Sequence, residues 1–197
     1  MVGAILTQNT NWKNVEKAIL ALKQKGALRP ESIAAMDQAN LADTIRAAGY
    51  YNQKAERLRA FARFFLEEYG GSVEAMKCED PAVLREKLLR IRGIGRETAD
   101  SILAYALGKP VFVVDAYTRR IFARHGWATP GAEYDEIRRE VEGSLPADAS
   151  LLGEFHALLV YIGQHFCRRQ ARCESCPLVI YPRVEGSGGL RPKAKGR

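Results

Sequence analysis

Apolar residues recur three and four positions apart along almost the whole chain, the spacing of one buried helical face. Trp12, Val15, Ala18, Ile19 and Leu22 predict a helix that stops at Gly26. Leu41, Ile45 and Ala48 predict a short one behind Asn40, ended by Gly49. Asn52 reads as the cap of a long helix carrying Ala55, Leu58, Phe61, Phe65 and Leu66, closed by Gly70 and Gly71. Asp80 followed by Pro81 opens the next, with Leu84, Leu88, Leu89 and Ile91 inward. From about Arg96 a further helix carries Ile102, Leu103, Ala106 and Leu107 to Gly108. Helices over about 116–124, 134–144 and 150–166 complete the set. Only 111–114 has strand character, too short and isolated to build a sheet, so the fold class is all-α.

Residues 1–6 are apolar, with no capping signal ahead of them, and read as the end of a helix whose start is absent. Beyond Arg183 no apolar face remains, and 184–197 reads as a disordered basic tail. The 197 residues suit one compact domain or two small lobes; the reading is one helical domain over 1–183 with its lobes interleaved. No run reaches the roughly 18–20 apolar residues of a membrane span, and no secretory leader opens the chain, so a cytoplasmic monomer is expected. Lys and Arg number 30 against 23 Asp and Glu, a net charge of +7. A basic excess suits a polyanionic partner through counterion release, although mild basicity also serves solubility. Arg183, Arg191, Lys193, Lys195 and Arg197 place part of that charge at the chain's end.

The most informative segment is Leu88-Leu89-Arg90-Ile91-Arg92-Gly93-Ile94-Gly95-Arg96-Glu97-Thr98-Ala99-Asp100. One helix ends, a Gly-Ile-Gly turn follows and a second helix begins, giving a helix hairpin over about 84–107. The glycines permit positive φ and close backbone approach. Backbone N–H groups at the start of the second helix form a phosphate site, and Ile94 can plug the gap between the helices. Alone, a Gly-x-Gly turn is helix punctuation.

With its surroundings this segment resembles the helix-hairpin-helix DNA glycosylases, the endonuclease III superfamily. The resemblance covers Ile91-x-Gly93-Ile94-Gly95-Arg96-x-Thr98-Ala99-Asp100, then Val113-Val114-Asp115. It also takes in Leu6-Thr7-Gln8-Asn9-Thr10 and Gly49-Tyr50-Tyr51-Asn52-Gln53-Lys54-Ala55, reaching from residue 2 to about 178. It implies a helix-hairpin-helix glycosylase fold with two helical lobes and a cleft between them. It also implies base-excision repair on damaged double-stranded DNA, with the target base flipped out of the stack. Asp115 stands at the position of the catalytic aspartate. A carboxylate there stabilises the positive charge that develops at the sugar's anomeric carbon, or orients the attacking water. The plain reading of Asp115 is an N-cap, and both roles can hold, because a cap fixes the carboxylate. Gln8 matches the side chain that fills the hole left by the flipped base, and Tyr50 the wedge on the opposite strand; the plain alternatives are a polar loop residue and a turn aromatic. Arg92, Gly93, Ile94, Gly95, Arg96 and Thr98 are the hairpin residues expected at DNA.

Superfamily members that also cut the DNA backbone usually carry a lysine where this chain has Glu97. That amine attacks the sugar and forms a Schiff base, and a carboxylate cannot. Lys109 lies beyond the helix. The expectation is a monofunctional glycosylase that leaves an abasic site. Within the superfamily the chain is most similar to the 3-methyladenine DNA glycosylase III branch. Its substrates, alkylated purines, carry positive charge on the ring and leave readily. Stacking and cation–π attraction recognise such bases. Tyr117 and Trp12 are the candidate pocket walls and Glu97 an electrostatic contributor; for Trp12, core packing is the plainer role. Part of that branch's pocket comes from residues ahead of Leu6, which this chain lacks. Two competing readings are a bifunctional glycosylase and lyase for oxidised pyrimidines, which Glu97 opposes, and a non-catalytic DNA-binding module.

Of the four cysteines, Cys78 stands alone while Cys167, Cys173 and Cys176 crowd together. In an intracellular chain that crowding reads as metal or cluster ligation before disulfides. With Pro177-Leu178 the spacing resembles the superfamily's iron–sulfur loop, here over 167–182. A 4Fe–4S cluster takes four thiolates. The fourth should fall about six residues after Cys176, where Tyr181 and Pro182 stand. Three thiolates would hold a cluster with one open iron, or nothing; zinc would lack the same ligand, with His165 a candidate. A cluster would be structural, clipping Arg168, Arg169 and Arg172 against DNA. His125 and His156 read as structural histidines.

Overall fold

The computed structural model describes residues 1–129 and 131–184. Among them every regular element is helical, as the periodicity requires. The chain divides at Lys109–Pro110 into two compact units, Met1–Lys109 and Pro110–Arg197. No helix among the described residues is long and apolar enough to cross a membrane.

The first unit holds α1 (Val2–Leu6), α2 (Trp12–Gln24), α3 (Pro30–Ala35), α4 (Gln38–Thr44), a 3₁₀ turn over Arg46–Ala48 and α5 (Tyr51–Tyr69). It continues with α6 (Val73–Cys78), α7 (Pro81–Arg90) and α8 (Arg96–Ser101), which runs on as a π-helical turn over Ile102–Ala106. α1, α3 and α4 pack on α5. Ile5, Leu22, Leu41, Leu58, Leu84, Leu88 and Ile102 are wholly sequestered. Asp80 caps α7 through Ala82 N–H and Val83 N–H, with Pro81 in the first turn, as the Asp-Pro pair predicts.

Two other caps differ from the sequence reading. Asp37, not Asn40, caps α4, its carboxylate accepting from Ala39 N–H and Asn40 N–H. A carboxylate on the extended residue just before a helix meets the second and third free N–H groups, and that leaves Asn40 inside. Asn52 likewise lies inside α5, whose preceding residue is Tyr50 in the left-handed region. α3 and α6 are too short for periodicity to reveal. Their signals are Pro30 in the first turn and the Ser72 side chain accepting from Ala75 N–H at 3.2 Å.

The second unit holds α9 (Ala116–His125), α10 (Tyr134–Ser144), α11 (Ala149–His165) and a 3₁₀ turn over Pro177–Ile180. Phe112, Val114, Ile121, Phe122, Ile137, Val141, Leu152 and Leu159 form its core. Residues 111–114 are extended without being a strand. Phe112 N–H donates to Glu142 Oε1 at 2.8 Å and Val114 N–H to the Tyr134 hydroxyl at 3.2 Å. Side chains of α10 thus satisfy backbone donors that a neighbouring strand would otherwise take. Of the basic tail expected over 184–197, all but Val184 lies outside the described residues.

Candidate active site

The extended segment delivers Asp115 to the start of α9. Its Oδ1 accepts from Thr118 N–H at 2.7 Å, the N-cap bond. Its Oδ2 lies 3.7 Å from Nε2 of His156, which projects from α11. The two side chains are 14% and 12% exposed respectively. The His156 ring meets the Phe112 ring edge-on, centroids 6.2 Å apart, so packing sets its plane. Burial alone would raise the Asp115 pKa; the neighbouring His156 imidazole and the Thr118 hydrogen bond outweigh it, and the net direction is downward. Asp115 is therefore ionised at neutral pH and placed in a partly desolvated setting where its charge acts strongly. A carboxylate whose folded pKa is depressed stabilises the fold fully above its unfolded pKa and loses that contribution as pH falls through the folded value. His156→Ala removes the largest influence opposing burial and leaves the Thr118 bond, so the Asp115 pKa should climb. Carboxyl-carbon NMR titration of the wild type and the variant checks this; an unmoved titration would disconnect the two residues.

His156 is a site residue that sequence reasoning assigned to structure. Forty-one positions separate it from Asp115, and only the packing of α9 on α11 brings them together. Tyr117, in the first turn of α9, lies on the α11 backbone: a Cβ added at Gly163 would stand 2.6 Å from its Cγ. The Arg120 guanidinium sits 5.1 Å from the centre of the Tyr117 ring and donates to the Gly163 and Cys167 carbonyls at 3.0 and 2.6 Å. A glycine in α11 thus makes room for the aromatic side chain.

In the first unit, three of the matched segments meet. Gly93 takes the left-handed turn conformation, φ +85°, and Ile94 is buried. Gly95 has extended backbone, φ −94°, and a Cβ there would meet open space. At 95 the glycine therefore leaves room for an approaching partner; it does not supply positive φ. The stem of Arg57, from α5, lies across Gly93, where a Cβ would stand 2.6 Å from Arg57 Cγ. Arg57 Nη1 donates to Gln8 Oε1, and Gln8 Nε2 donates to Gly93 O at 3.0 Å and Thr98 Oγ1 at 2.9 Å. Arg57 is a further residue that the sequence reading did not single out. Thr98, expected at the DNA surface, is instead buried, with its hydroxyl engaged by Gln8. Arg92 is exposed and paired with Glu56 at 2.9 Å; Arg96 and Glu97 are exposed.

Lys54 joins the remaining pieces. Its side chain is buried, and Nζ donates to Leu6 O at 2.9 Å and Ala48 O at 2.7 Å. Those carbonyls lie two residues ahead of Gln8 and of Tyr50. Tyr50 is 64% exposed at φ +47°, and Asn9 has φ +54°. They are the non-glycine residues with positive φ among those described. Such a backbone costs a tyrosine about 1–3 kcal/mol, whereas asparagine tolerates it. Tyr50→Asn should therefore stabilise the fold by about 1 kcal/mol, as read by urea denaturation. Trp12 is 55% exposed, with its ring against Gly3. Its role is not core packing, because only the Val15, Ala18 and Leu22 positions of α2 face inward.

The three clustered cysteines line one cavity of about 590 Å³. Arg124 Nη1 donates to Cys167 Sγ at 3.1 Å and to Arg168 O at 2.7 Å, and its Nη2 donates to Arg169 O at 3.1 Å, holding the loop in place. No three His, Cys, Asp or Glu side chains among the described residues converge closely enough for one metal ion. Three soft thiol donors on one cavity match iron–sulfur chemistry, in which each iron takes one protein ligand. The donor set fits a cluster held at three corners. His165 does not line that cavity; it stacks on Tyr161 with centroids 4.2 Å apart.

Residues 2–147 match the HhH-GPD superfamily base excision DNA repair protein family. The chain belongs to this superfamily. It is 49% identical over 179 residues to a Methanocaldococcus jannaschii protein provisionally named a DNA repair glycosylase, covering 90% of this chain and 81% of the relative. Endonuclease III of Thermotoga maritima is 32% identical over 199 residues, covering 99% and 88%. Among solved structures, H. pylori 3-methyladenine DNA glycosylase bound to 1,N6-ethenoadenine superposes with a TM-score of 0.72 at 33% identity, covering 83% of this chain and 82% of that one. As a member of the HhH-GPD superfamily the chain is a DNA glycosylase of base-excision repair, a hydrolase of N-glycosyl bonds.

Proposed function

We propose that the chain is a monofunctional glycosylase that removes an alkylated purine from double-stranded DNA and leaves an abasic site. The observation that carries this reading is Asp115, ionised, capped to α9 and flanked by His156, with Glu97 where a lyase would need an amine. Lys109, the nearest later lysine, is engaged elsewhere: its Nζ donates to Lys77 O at 2.6 Å and Glu79 O at 2.9 Å. Likeness to a glycosylase bound to an etheno-adenine supports the substrate class; likeness to endonuclease III favours the bifunctional reading, which Glu97 opposes.

The reaction balances simply. The bond from the anomeric carbon to the purine nitrogen breaks, and its electron pair neutralises the ring's positive charge. The Asp115 carboxylate stabilises the cationic sugar as water's oxygen bonds to that carbon, and the water's proton passes to the carboxylate or to solvent. Because the departing base is already cationic, no strong general acid is required. Tyr117 and Trp12 supply aromatic faces for the flipped base, Tyr50 and Gln8 occupy the distorted duplex, and the Arg92–Arg96 turn grips phosphate. Affinity should show little sequence preference and fall steeply with salt.

In this reading Cys167, Cys173 and Cys176 hold a 4Fe–4S cluster whose role is structural, ordering Arg168, Arg169 and Arg172 for DNA. In the same reading the protein is a cytoplasmic monomer, nucleoid-associated in a bacterial or archaeal host. Excision from duplexes containing alkylated adenine, uracil or oxidised pyrimidine tests the substrate class. Release of the alkylated base alone is expected; preferential release of the oxidised pyrimidine would replace this reading with the bifunctional one.

A further inference from the structure

The cysteine cavity has three thiols for a group that takes four ligands. Position 182, where the fourth would stand, is Pro182, and the Pro182 carbonyl oxygen lies 2.9 Å from Nδ1 of His125. His125 is the last residue of α9 and lines the same cavity as the three cysteines. We propose that His125 supplies the fourth protein ligand, so that the chain holds a Cys₃His 4Fe–4S cluster; this rests on the cluster reading above.

The hydrogen bond fixes the chemistry of the ring. A carbonyl oxygen can only accept, so Nδ1 carries the hydrogen and Nε2 keeps its lone pair. One ring nitrogen bonded to a backbone carbonyl, with the other left to the metal, is how ligating histidines are oriented and made more basic. The ring plane is set by stacking on Trp127, centroids 4.8 Å apart at 26°, and Trp127 in turn meets Tyr181 edge-on at 5.8 Å. Val184 N–H donates to Arg124 O at 3.0 Å, so the chain after Pro182 is tied to the same helix end. The loop that carries no fourth cysteine is thereby docked on an imidazole. Tyr181 also lines the cavity, but a phenol oxygen is a hard donor poorly matched to iron–sulfur chemistry. Replacing a thiolate by a neutral imidazole makes the cluster one charge less negative, which raises its reduction potential.

The test is anaerobic reconstitution of the full chain with ferrous iron and sulfide, followed by iron and sulfide analysis and pulsed electron paramagnetic resonance of the reduced cluster. Wild type is expected to hold iron and sulfide in equal amounts and to show nitrogen coupling that changes when the histidines are isotope-labelled. His125→Ala should lose that coupling and pass to a three-iron form on mild oxidation, and His165→Ala should retain it. His125→Cys should hold a cluster of lower potential with no nitrogen coupling. A cluster that lacks histidine coupling, or whose coupling survives His125→Ala, overturns the His125 assignment and leaves the cluster reading standing. Uptake of zinc alone, or of no iron, overturns both.

Discussion

Asp115→Asn is expected to slow single-turnover base release about a hundred- to ten-thousandfold, the range seen when a charge-stabilising or proton-handling group is lost. Affinity for the same duplex should stay nearly unchanged. The substitution separates chemistry from folding, because asparagine caps a helix about as well as aspartate. The bond to Thr118 N–H survives, and only the negative charge is removed. Asp115→Ala would also delete the cap, at about 1 kcal/mol, and would confuse the two effects. Release by Asp115→Asn within a few fold of wild type would remove the carboxylate from the mechanism.

The second large effect falls on stability. Lys54→Met should cost about 2–4 kcal/mol, because it leaves two buried carbonyl oxygens, Leu6 O and Ala48 O, without the donor they now have. Part of the loss is returned, since a buried ammonium is itself costly to desolvate. Urea midpoints of the two proteins give the difference, and hydrogen exchange should show protection lost first around residues 6–10 and 48–52. The pH dependence follows from the same burial. Desolvation first, and the Arg57 charge second, lower the Lys54 pKa. Below the folded value the unfolded chain holds the proton more readily, so the ion weighs against the fold. That cost is relieved as pH rises from the folded value toward the ordinary lysine range of about 10.4. The wild type should show this alkaline gain and Lys54→Met should not.

These two residues mark where the sequence was legible and where it was not. Asp115 could be read because its surroundings are local: a valine pair, a cap position and a helix start within a few residues. The hairpin was legible for the same reason, as was the helical class, since α2, α5 and α11 are long enough to show their period. What escaped reading depends on distant partners. A lysine is rarely buried, and nothing within Asn52–Ala55 announces that Lys54 bridges two loops. His156 meets Asp115 only because α9 and α11 pack together, and Arg57 reaches Gln8 and Gly93 only because α5 passes beneath the hairpin turn. Trp12 was read as a candidate pocket wall with core packing as the plainer role, and its exposure at the start of α2 removes the core reading. Residues 111–114 have strand character but no sheet to join, and side chains of α10 take up their backbone donors.

On the proposed mechanism, water directed by the Asp115 carboxylate cleaves the glycosidic bond without any amine of the protein attacking the sugar. Borohydride added during turnover on a duplex with an alkylated purine separates this route from imine chemistry. The expected result is released base, a strand that breaks only after alkali, and no covalent adduct between protein and DNA. A trapped adduct, or strand scission without alkali, would contradict it.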